Sequence, residues 1–182
     1  MTADYRPVDY WTKRGRTFEA EALRKGEWDV ETVPVYDLLS TLKFETVFEV
    51  GCGFGRVGAS ILKHWPEVKY TGLDVSPDLV EAARKRLPTS ELICADLATF
   101  DTDRTWDLVL SVSVLGHLLP TDVGQVIERM RRWATRDLVT VDWDEVGGQT
   151  SFQFGHDYRA FYGDAATHTP IGRLGMYHLS NP

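Results

Sequence analysis

Cysteine is scarce in this chain of 182 residues, which has only two, Cys52 and Cys94, far apart in the sequence. A disulfide-stabilised secreted scaffold needs a higher density of paired cysteines, and a structural zinc site needs closely spaced ligands. We therefore expect two reduced, buried thiols and no metal site.

Long apolar segments are also absent. The amino-terminal residues are polar and of mixed charge, unlike a secretory signal peptide, and no run approaches the roughly 20 apolar residues of a membrane-spanning helix. This pattern predicts a cytoplasmic protein without a membrane partner.

An excess of positive charge is missing as well. The formal net charge of -7 gives no general attraction for a phosphate backbone, although several arginines cluster in residues 129–136. No repeat, low-complexity tract or linker divides the chain, and its length is that of one domain. We therefore expect one globular domain, a monomer or homodimer, with no nucleic-acid partner.

Short apolar runs alternate with amphipathic stretches through the middle of the chain. The predicted strands are residues 46–50, 69–74, 91–95, 106–113 and 137–143. Strands that are apolar throughout and separated by helices predict a doubly wound, mostly parallel, Rossmann-like α/β sheet with helices on both faces. The ligand of such a sheet binds at the carboxyl ends of the strands, where the strand order reverses.

The two ends of the chain are less regular. Residues 9–24 and 33–42 predict helices, whereas the tail offers only a short helix near 157–162 and a half-exposed strand over 173–179. We expect a reduced sheet edge, or pairing with a second subunit, after the fifth strand. The predicted parts of the domain are a helical leader or lid, 1–44, a core, 45–143, and a tail, 144–182.

The first predicted strand runs into a turn with glycine at every second position, Gly51, Gly53 and Gly55. Small residues there let a ligand approach the backbone and expose amide groups at the start of the next helix. The turn alone is only a hint of a nucleotide site. Residues 53–58 also satisfy the GxGxxG dinucleotide fingerprint, in which Asp74 would bind the ribose of NAD.

With Glu49 and a valine ahead of it, the turn resembles the first motif of the class I S-adenosylmethionine-dependent methyltransferases, which is an acidic residue, a hydrophobic residue and GxGxG. Asp74 and Asp96 close the second and third strands as in that family, and residues 106–117 resemble its fourth-strand motif. The resemblance covers roughly residues 46–143. It implies S-adenosylmethionine as cofactor, S-adenosylhomocysteine as product, and methyl transfer to oxygen, nitrogen or carbon of a small-molecule acceptor.

The resemblance also implies a role for each strand end. Asp74 accepts hydrogen bonds from the ribose hydroxyls, and Asp96 accepts one from the adenine amino group, with Val75 and Leu97 beside the ring. Ser111 would receive the ammonium group of the cofactor. The expected cofactor-binding residues are Trp11, Arg14, Glu49, Gly51, Cys52, Gly53, Gly55, Asp74, Val75, Ser76, Ala95, Asp96, Leu97 and Ser111.

An aromatic and basic cluster in the leader contains Tyr10, Trp11 and Arg14. In comparable small methyltransferases such a leader folds over the cofactor, so that Trp11 closes the pocket and Arg14 meets the cofactor carboxylate. A leader that only covers the core is the alternative.

A catalytic base is optional, because the sulfonium already activates the methyl group and the protein mainly positions the acceptor. His117, just past the fourth strand, and His156, in the tail, are the candidate catalytic bases. Local hydrogen bonding is the alternative role for both. We interpret Asp142 and Asp144, at the end of the fifth strand, as solvated carboxylates.

Two other functions stay open. An NAD-dependent oxidoreductase explains Asp74 and residues 53–58, but it leaves Glu49, Gly51 and Asp96 without a role and needs a substrate domain. A non-catalytic sensor or partner subunit that binds S-adenosylmethionine is the other.

Family members that methylate DNA or glutamine carry Asn or Asp followed by Pro-Pro-aromatic at the fourth strand, and this chain has Ser-Val-Ser-Val there. That difference favours a small-molecule acceptor without identifying it.

Overall fold

The computed structural model of the chain describes residues 5–25 and 29–182, with side chains described at 5–24 and 34–182. The predicted leader, residues 1–44, therefore lies partly outside the described residues. Seven strands form the centre of the described structure: β1 Thr46–Val50, β2 Lys69–Asp74, β3 Glu91–Cys94, β4 Trp106–Val112, β5 Ala134–Trp143, β6 Thr167–Ile171 and β7 Leu174–Ser180. They form one sheet of order β3-β2-β1-β4-β5-β7-β6.

Helices lie in most of the connections between these strands, but not between β3 and β4 or between β6 and β7. The described α-helices are α1 Pro7–Lys25, α2 Asp29–Leu39, α3 Arg56–His64, α4 Pro77–Arg86, α5 Val123–Trp133 and α6 Tyr158–Tyr162, and a 3₁₀ helix spans Leu115–His117. Among the described helices, none combines the length and apolarity needed to cross a bilayer.

Local sequence signals set the helix boundaries. Ser76 caps α4, because its hydroxyl accepts a hydrogen bond from the backbone N–H of Leu79 at 3.4 Å, and Pro77 occupies the first turn. Helix α5 begins at Val123, with Asp122 at the N-cap position.

Helices cover both faces of the sheet. Strands β1 to β5 pair in parallel, and alternate residues of each strand face opposite layers. On one face Phe48, Val109 and Leu138 belong to a buried cluster that includes the apolar side of α5. On the other face Val47 and Leu108 pack in a second cluster with α2 and α3. Burial on both sides explains why the central strands are apolar throughout, and it confirms the predicted doubly wound fold.

The sheet edge after β5 is complete, so the expected reduced edge is wrong. Strand β7 pairs antiparallel with β5 along its whole length, and β6 pairs antiparallel with β7. The predicted strand at 173–179 corresponds to β7. Strand β6 was not predicted, because Thr167–Ile171 is mostly exposed and contains a proline, so it lacks the apolar pattern of a strand.

The two thiols differ in exposure. Cys52 is buried, as expected, whereas Cys94 is exposed, so the expectation of two buried thiols is wrong for Cys94. The reason is that Cys94 ends β3, which forms the edge of the sheet and is covered less than the central strands.

Candidate functional site

A cavity of about 440 Å³ opens at the carboxyl ends of the strands, where the strand order reverses between β1 and β4. Its volume lies in the usual range of small-molecule sites. We divide the residues that line this single cavity into two groups, according to the strand ends and helix positions from which they come. The turn half lies around the glycine turn and the ends of β1, β2 and β3. It comprises Arg14, Phe18, Glu21, Ala22, Glu49, Gly51, Cys52, Gly53, Phe54, Arg56, Val57, Leu73, Asp74, Val75, Leu79, Asp96 and Leu97. The β4 half comprises Pro7, Val8, Tyr10, Trp11, Val112, Ser113, Val114, His117, Leu118, Phe152, Gln153 and Leu174.

The glycine turn needs backbone conformations that other residues rarely adopt. Gly51 and Gly53 have φ of +70° and +54°. A Cβ at Gly51 would collide with the Val114 side chain, whereas nothing lies within 4 Å of a Cβ position at Gly53. At Gly51 the turn therefore packs tightly against Val114. Above Gly53, on the side of the turn that faces the cavity, it leaves open space.

Asp74 ends β2 and is 8% exposed. Its Oδ2 accepts a hydrogen bond from the backbone N–H of Gly53 at 2.9 Å, and its Oδ1 accepts one from the backbone N–H of Ser76 at 2.8 Å. Burial raises the pKa of Asp74, and these hydrogen bonds oppose the shift. Each carboxylate oxygen has a further lone pair, so Asp74 retains capacity to accept hydrogen bonds from a ligand in the cavity.

Glu49 lies beneath the turn and is 2% exposed. The Tyr70 hydroxyl donates a hydrogen bond of 2.5 Å to Glu49 Oε2. Burial raises the pKa of Glu49 to about 8, while the Tyr70 hydrogen bond and the Arg56 charge act in the opposite direction. Tyr70 and Arg56 were not predicted, because nothing in their positions along the chain signals contact with Glu49.

Asp142 is 2% exposed and holds the backbone that follows β4. Its Oδ2 accepts a hydrogen bond from the Val114 N–H at 2.8 Å, and its Oδ1 accepts from the N–H groups of Gly116 and Trp143 at 3.0 Å. Burial raises its pKa against these hydrogen bonds. The interpretation of Asp142 as a solvated carboxylate is therefore wrong.

His117 lies at the end of the segment that Asp142 holds, and its ring lines the β4 half. Its Nδ1 is 2.9 Å from the backbone carbonyl oxygen of Phe152. Because a carbonyl can only accept, Nδ1 carries the proton and Nε2 is the unprotonated nitrogen of the neutral ring. Burial lowers the pKa of His117, which keeps the ring neutral at pH 7.

Comparisons with known proteins agree with this geometry. Residues 48–137 match the family described as a methyltransferase domain. The chain is 37% identical to trans-aconitate 2-methyltransferase of Methylobacterium radiotolerans over 93 residues, which are 50% of this chain and 36% of that protein. It is 27% identical to malonyl-[acyl-carrier protein] O-methyltransferase of Acetivibrio thermocellus, over 66% of this chain and 42% of that protein. The matches thus span well under half of these relatives.

Solved structures share the fold. Magnesium protoporphyrin IX methyltransferase from Synechocystis PCC 6803, with bound S-adenosylmethionine, matches with a TM-score of 0.72 and 15% identity, over 99% of each chain. CalS10, an amino pentose methyltransferase from Micromonospora echinaspora, matches with a TM-score of 0.75 and 17% identity, over 91% of this chain and 97% of that one. The sequence match over residues 48–137 and the shared fold support the assignment of the chain to the class I S-adenosylmethionine-dependent methyltransferases.

Most residues predicted from the class I methyltransferase pattern lie together in the structure. Those that line the cavity are Trp11, Arg14, Glu49, Gly51, Cys52, Gly53, Asp74, Val75, Asp96, Leu97 and His117. The leader contributes through α1, where Arg14 forms two hydrogen bonds to Glu21, of 2.8 Å and 2.5 Å. A cofactor carboxylate would have to share the Arg14 guanidinium with Glu21.

Five predicted residues do not line the cavity: Gly55, Ser76, Ala95, Ser111 and His156. Ser111 is fully buried within β4, and its Oγ has no hydrogen-bond partner among the described residues. The serine of this strand end that lines the cavity is instead Ser113, which has an unusual positive φ of 57°. His156 is buried with its Nε2 3.1 Å from the carbonyl oxygen of Leu115, a local bond outside the lining. This placement does not support His156 as a catalytic base.

Proposed function

We propose that the chain is an enzyme that transfers a methyl group from S-adenosylmethionine to a small-molecule acceptor and releases S-adenosylhomocysteine. The observation that carries this proposal is one cavity in which the turn half, with Gly53 and Asp74, adjoins a β4 half that contains His117. A cofactor site and an acceptor site that share one enclosure meet the main requirement of methyl transfer, which is the positioning of two reactants.

The turn half fits the cofactor. The open space above Gly53 accommodates the amino-acid part against the turn backbone, and Asp74 offers its remaining lone pairs to the ribose hydroxyls. Asp96 accepts a hydrogen bond from the adenine amino group, and Val75 and Leu97 lie beside the adenine ring. When bound, S-adenosylmethionine supplies a methyl group activated by a sulfonium centre.

The β4 half orients the acceptor and excludes water. Trp11 packs edge-to-face with His117, at 4.8 Å between ring centroids and an interplanar angle of 78°. Helix α1 is thereby joined to the segment after β4 across the cavity. Because Nδ1 of His117 is bonded to Phe152, Nε2 is the nitrogen that takes the proton of an acceptor hydroxyl or amine.

Acceptor-dependent methyl transfer tests this function. The protein would be incubated with S-adenosylmethionine labelled in the methyl group and with fractionated metabolite extracts, and labelled products would be isolated. We expect a labelled small molecule and stoichiometric S-adenosylhomocysteine. Tight cofactor binding without any labelled product across all fractions would favour a non-catalytic sensor or partner subunit instead. A cytoplasmic location and a monomeric or homodimeric state remain predictions.

A further inference from the structure

The two halves of the cavity differ in charge. The turn half contains Arg14, Glu21, Glu49, Arg56, Asp74 and Asp96. Among the described residues that form the β4 half, none is Asp, Glu, Lys or Arg, and the polar side chains there are Tyr10, Ser113, His117 and Gln153. The guanidinium of Arg14 borders the β4 half, where it contacts Tyr10, but it is bonded to both carboxylate oxygens of Glu21, which neutralise its charge.

This absence of charge limits the acceptor. Transfer of a carboxylate or an ammonium group from water into a site without an opposite charge is costly. The acceptors in the names of the two curated relatives, trans-aconitate and a malonyl thioester, carry carboxylates. The described β4 half offers no cation for such a group.

The β4 half also has a defined shape. Tyr10 and Phe152 are stacked, with ring centroids 5.1 Å apart and planes at 12°, and Phe152 lies at 13° to the His117 ring at 5.9 Å. Trp11 stands nearly perpendicular to this stack, at 86° to Tyr10 and 78° to His117. The four rings form an aromatic corner, and a planar ring in such a corner can meet one wall face-to-face and the other edge-on.

We propose that the acceptor is a small, uncharged aromatic compound with a hydroxyl group, of the phenol class, bound in this aromatic corner. The inference rests on the proposed methyl transfer. The acceptor is small because it shares a cavity of about 440 Å³ with the cofactor. A protonated amine is disfavoured for the same reason as a carboxylate, because the described β4 half contains no opposite charge.

Methyl transfer to a phenol forms one bond to the methyl carbon and breaks another. The phenolic oxygen attacks the methyl carbon, the C–O bond forms, and the C–S bond breaks with its electron pair on sulfur. The phenolic proton passes to Nε2 of His117 and then to water. A phenol has a pKa near 10, as tyrosine does, well above that of His117, so proton transfer accompanies C–O bond formation rather than preceding it.

Four probes test the charge selectivity: phenol, benzoate, benzylamine and trans-aconitate. Each would be titrated into the complex with S-adenosylhomocysteine, followed by tryptophan fluorescence, and each would be assayed for labelled methyl transfer. We expect phenol to bind at least about tenfold more tightly than the three charged probes, since an unpaired buried charge costs more than the 1.4 kcal/mol of a tenfold change. Phenol should also be methylated.

Gln153 provides a matched pair of variants, because it lines the β4 half without belonging to the four-ring corner. Gln153→Arg should improve the binding of benzoate relative to phenol by about tenfold, through a charge-assisted hydrogen bond, whereas Gln153→Met, which adds no charge, should give no such improvement. Preferential binding of benzoate or trans-aconitate by the parent, or equal binding of all four probes, would overturn the inference. Failure of S-adenosylhomocysteine itself to bind would instead refute the proposed function.

Discussion

Asp74 Oδ2 accepts a hydrogen bond of 2.9 Å from the backbone N–H of Gly53, so the end of β2 is tied to the middle of the glycine turn. The other oxygen of Asp74 holds the start of α4 through the Ser76 N–H at 2.8 Å. The residue predicted to bind the cofactor ribose is therefore also the residue that shapes the turn beside it. Substitution of Asp74 is expected to affect both binding and stability.

Asp74→Ala should weaken S-adenosylhomocysteine binding by at least about tenfold, because charge-assisted hydrogen bonds are worth about 1.5–3 kcal/mol each. It should also lower the free energy of unfolding by about 1–3 kcal/mol, since two backbone N–H groups lose their acceptor. Calorimetry and urea denaturation measure the two effects. Asp78→Ala, at an exposed carboxylate in the first turn of α4, is the control that should change neither strongly. An unchanged dissociation constant for Asp74→Ala would mean that the ribose is held elsewhere.

Glu49 should make stability dependent on pH. Its pKa is raised by burial to about 8 in the folded protein and returns to its ordinary value of 4.5 on unfolding. The folded state therefore binds the proton more tightly, and the free energy of unfolding contributed by Glu49 falls as the pH rises from about 4.5 to 8. Urea denaturation of the protein without cofactor at pH 5, 6, 7 and 8 would follow this decrease. In Glu49→Gln the decrease should be smaller by at least about 1.4 kcal/mol, the equivalent of one pKa unit. Parallel curves for parent and variant would show that Glu49 does not titrate in this range.

Asp142 is expected to act as a positioning residue for His117. Asp142→Asn replaces one acceptor oxygen with an N–H₂ group, which cannot accept from the backbone of Val114 or Gly116. We expect methyl transfer to slow by about 10- to 100-fold, more than the affinity for S-adenosylhomocysteine falls, because the displaced segment carries His117 and meets the cofactor turn only where Val114 packs against Gly51. A shifted acid limb of the pH–rate profile would separate this role from general destabilisation. Asp137→Asn, at a buried carboxylate at the far end of the same strand, is the control.

His117 and His156 provide the sharpest contrast between a cavity residue and a residue outside the lining. His117→Ala should lower single-turnover methyl transfer by about 100- to 10,000-fold, the usual contribution of a general base. His156→Ala should reduce stability, because His156 is buried, but should leave the rate within a few-fold of the parent. In the parent the rate should fall at low pH with a midpoint below 6.5, since burial lowers the pKa of His117 and the protonated ring cannot accept a proton. Equal rates for both variants and the parent would leave positioning alone as the source of catalysis.

The repeating strand and helix core was predictable because its signals are local. A strand buried on both faces needs an apolar residue at nearly every position, and the cap at Ser76 followed by Pro77 marks the start of α4 in the sequence itself. The strand-end acids Glu49, Asp74 and Asp96 were predictable for a related reason. The carboxyl ends of parallel strands meet at one edge, so residues distant in the sequence converge there.

The unpredicted features depend on tertiary contacts. Strand β6 lacks an apolar alternation, and its pairing with β7 is what gives it a strand conformation. The positive φ of Ser113 turns the chain after β4, so Ser113 faces the cavity and Ser111 does not, and no residue type signals that turn. Phe152 reaches His117 only because the chain after β5 folds back over the β4 half.

Calorimetric titration of the protein with S-adenosylhomocysteine and, separately, with NAD distinguishes a methyltransferase from a dehydrogenase, because both ligands would occupy the turn beside Gly53 and Asp74. We expect saturable binding of S-adenosylhomocysteine with one site per chain, and no detectable heat from NAD at the same concentrations. Saturable binding of NAD together with no binding of S-adenosylhomocysteine would contradict this expectation and favour a dehydrogenase.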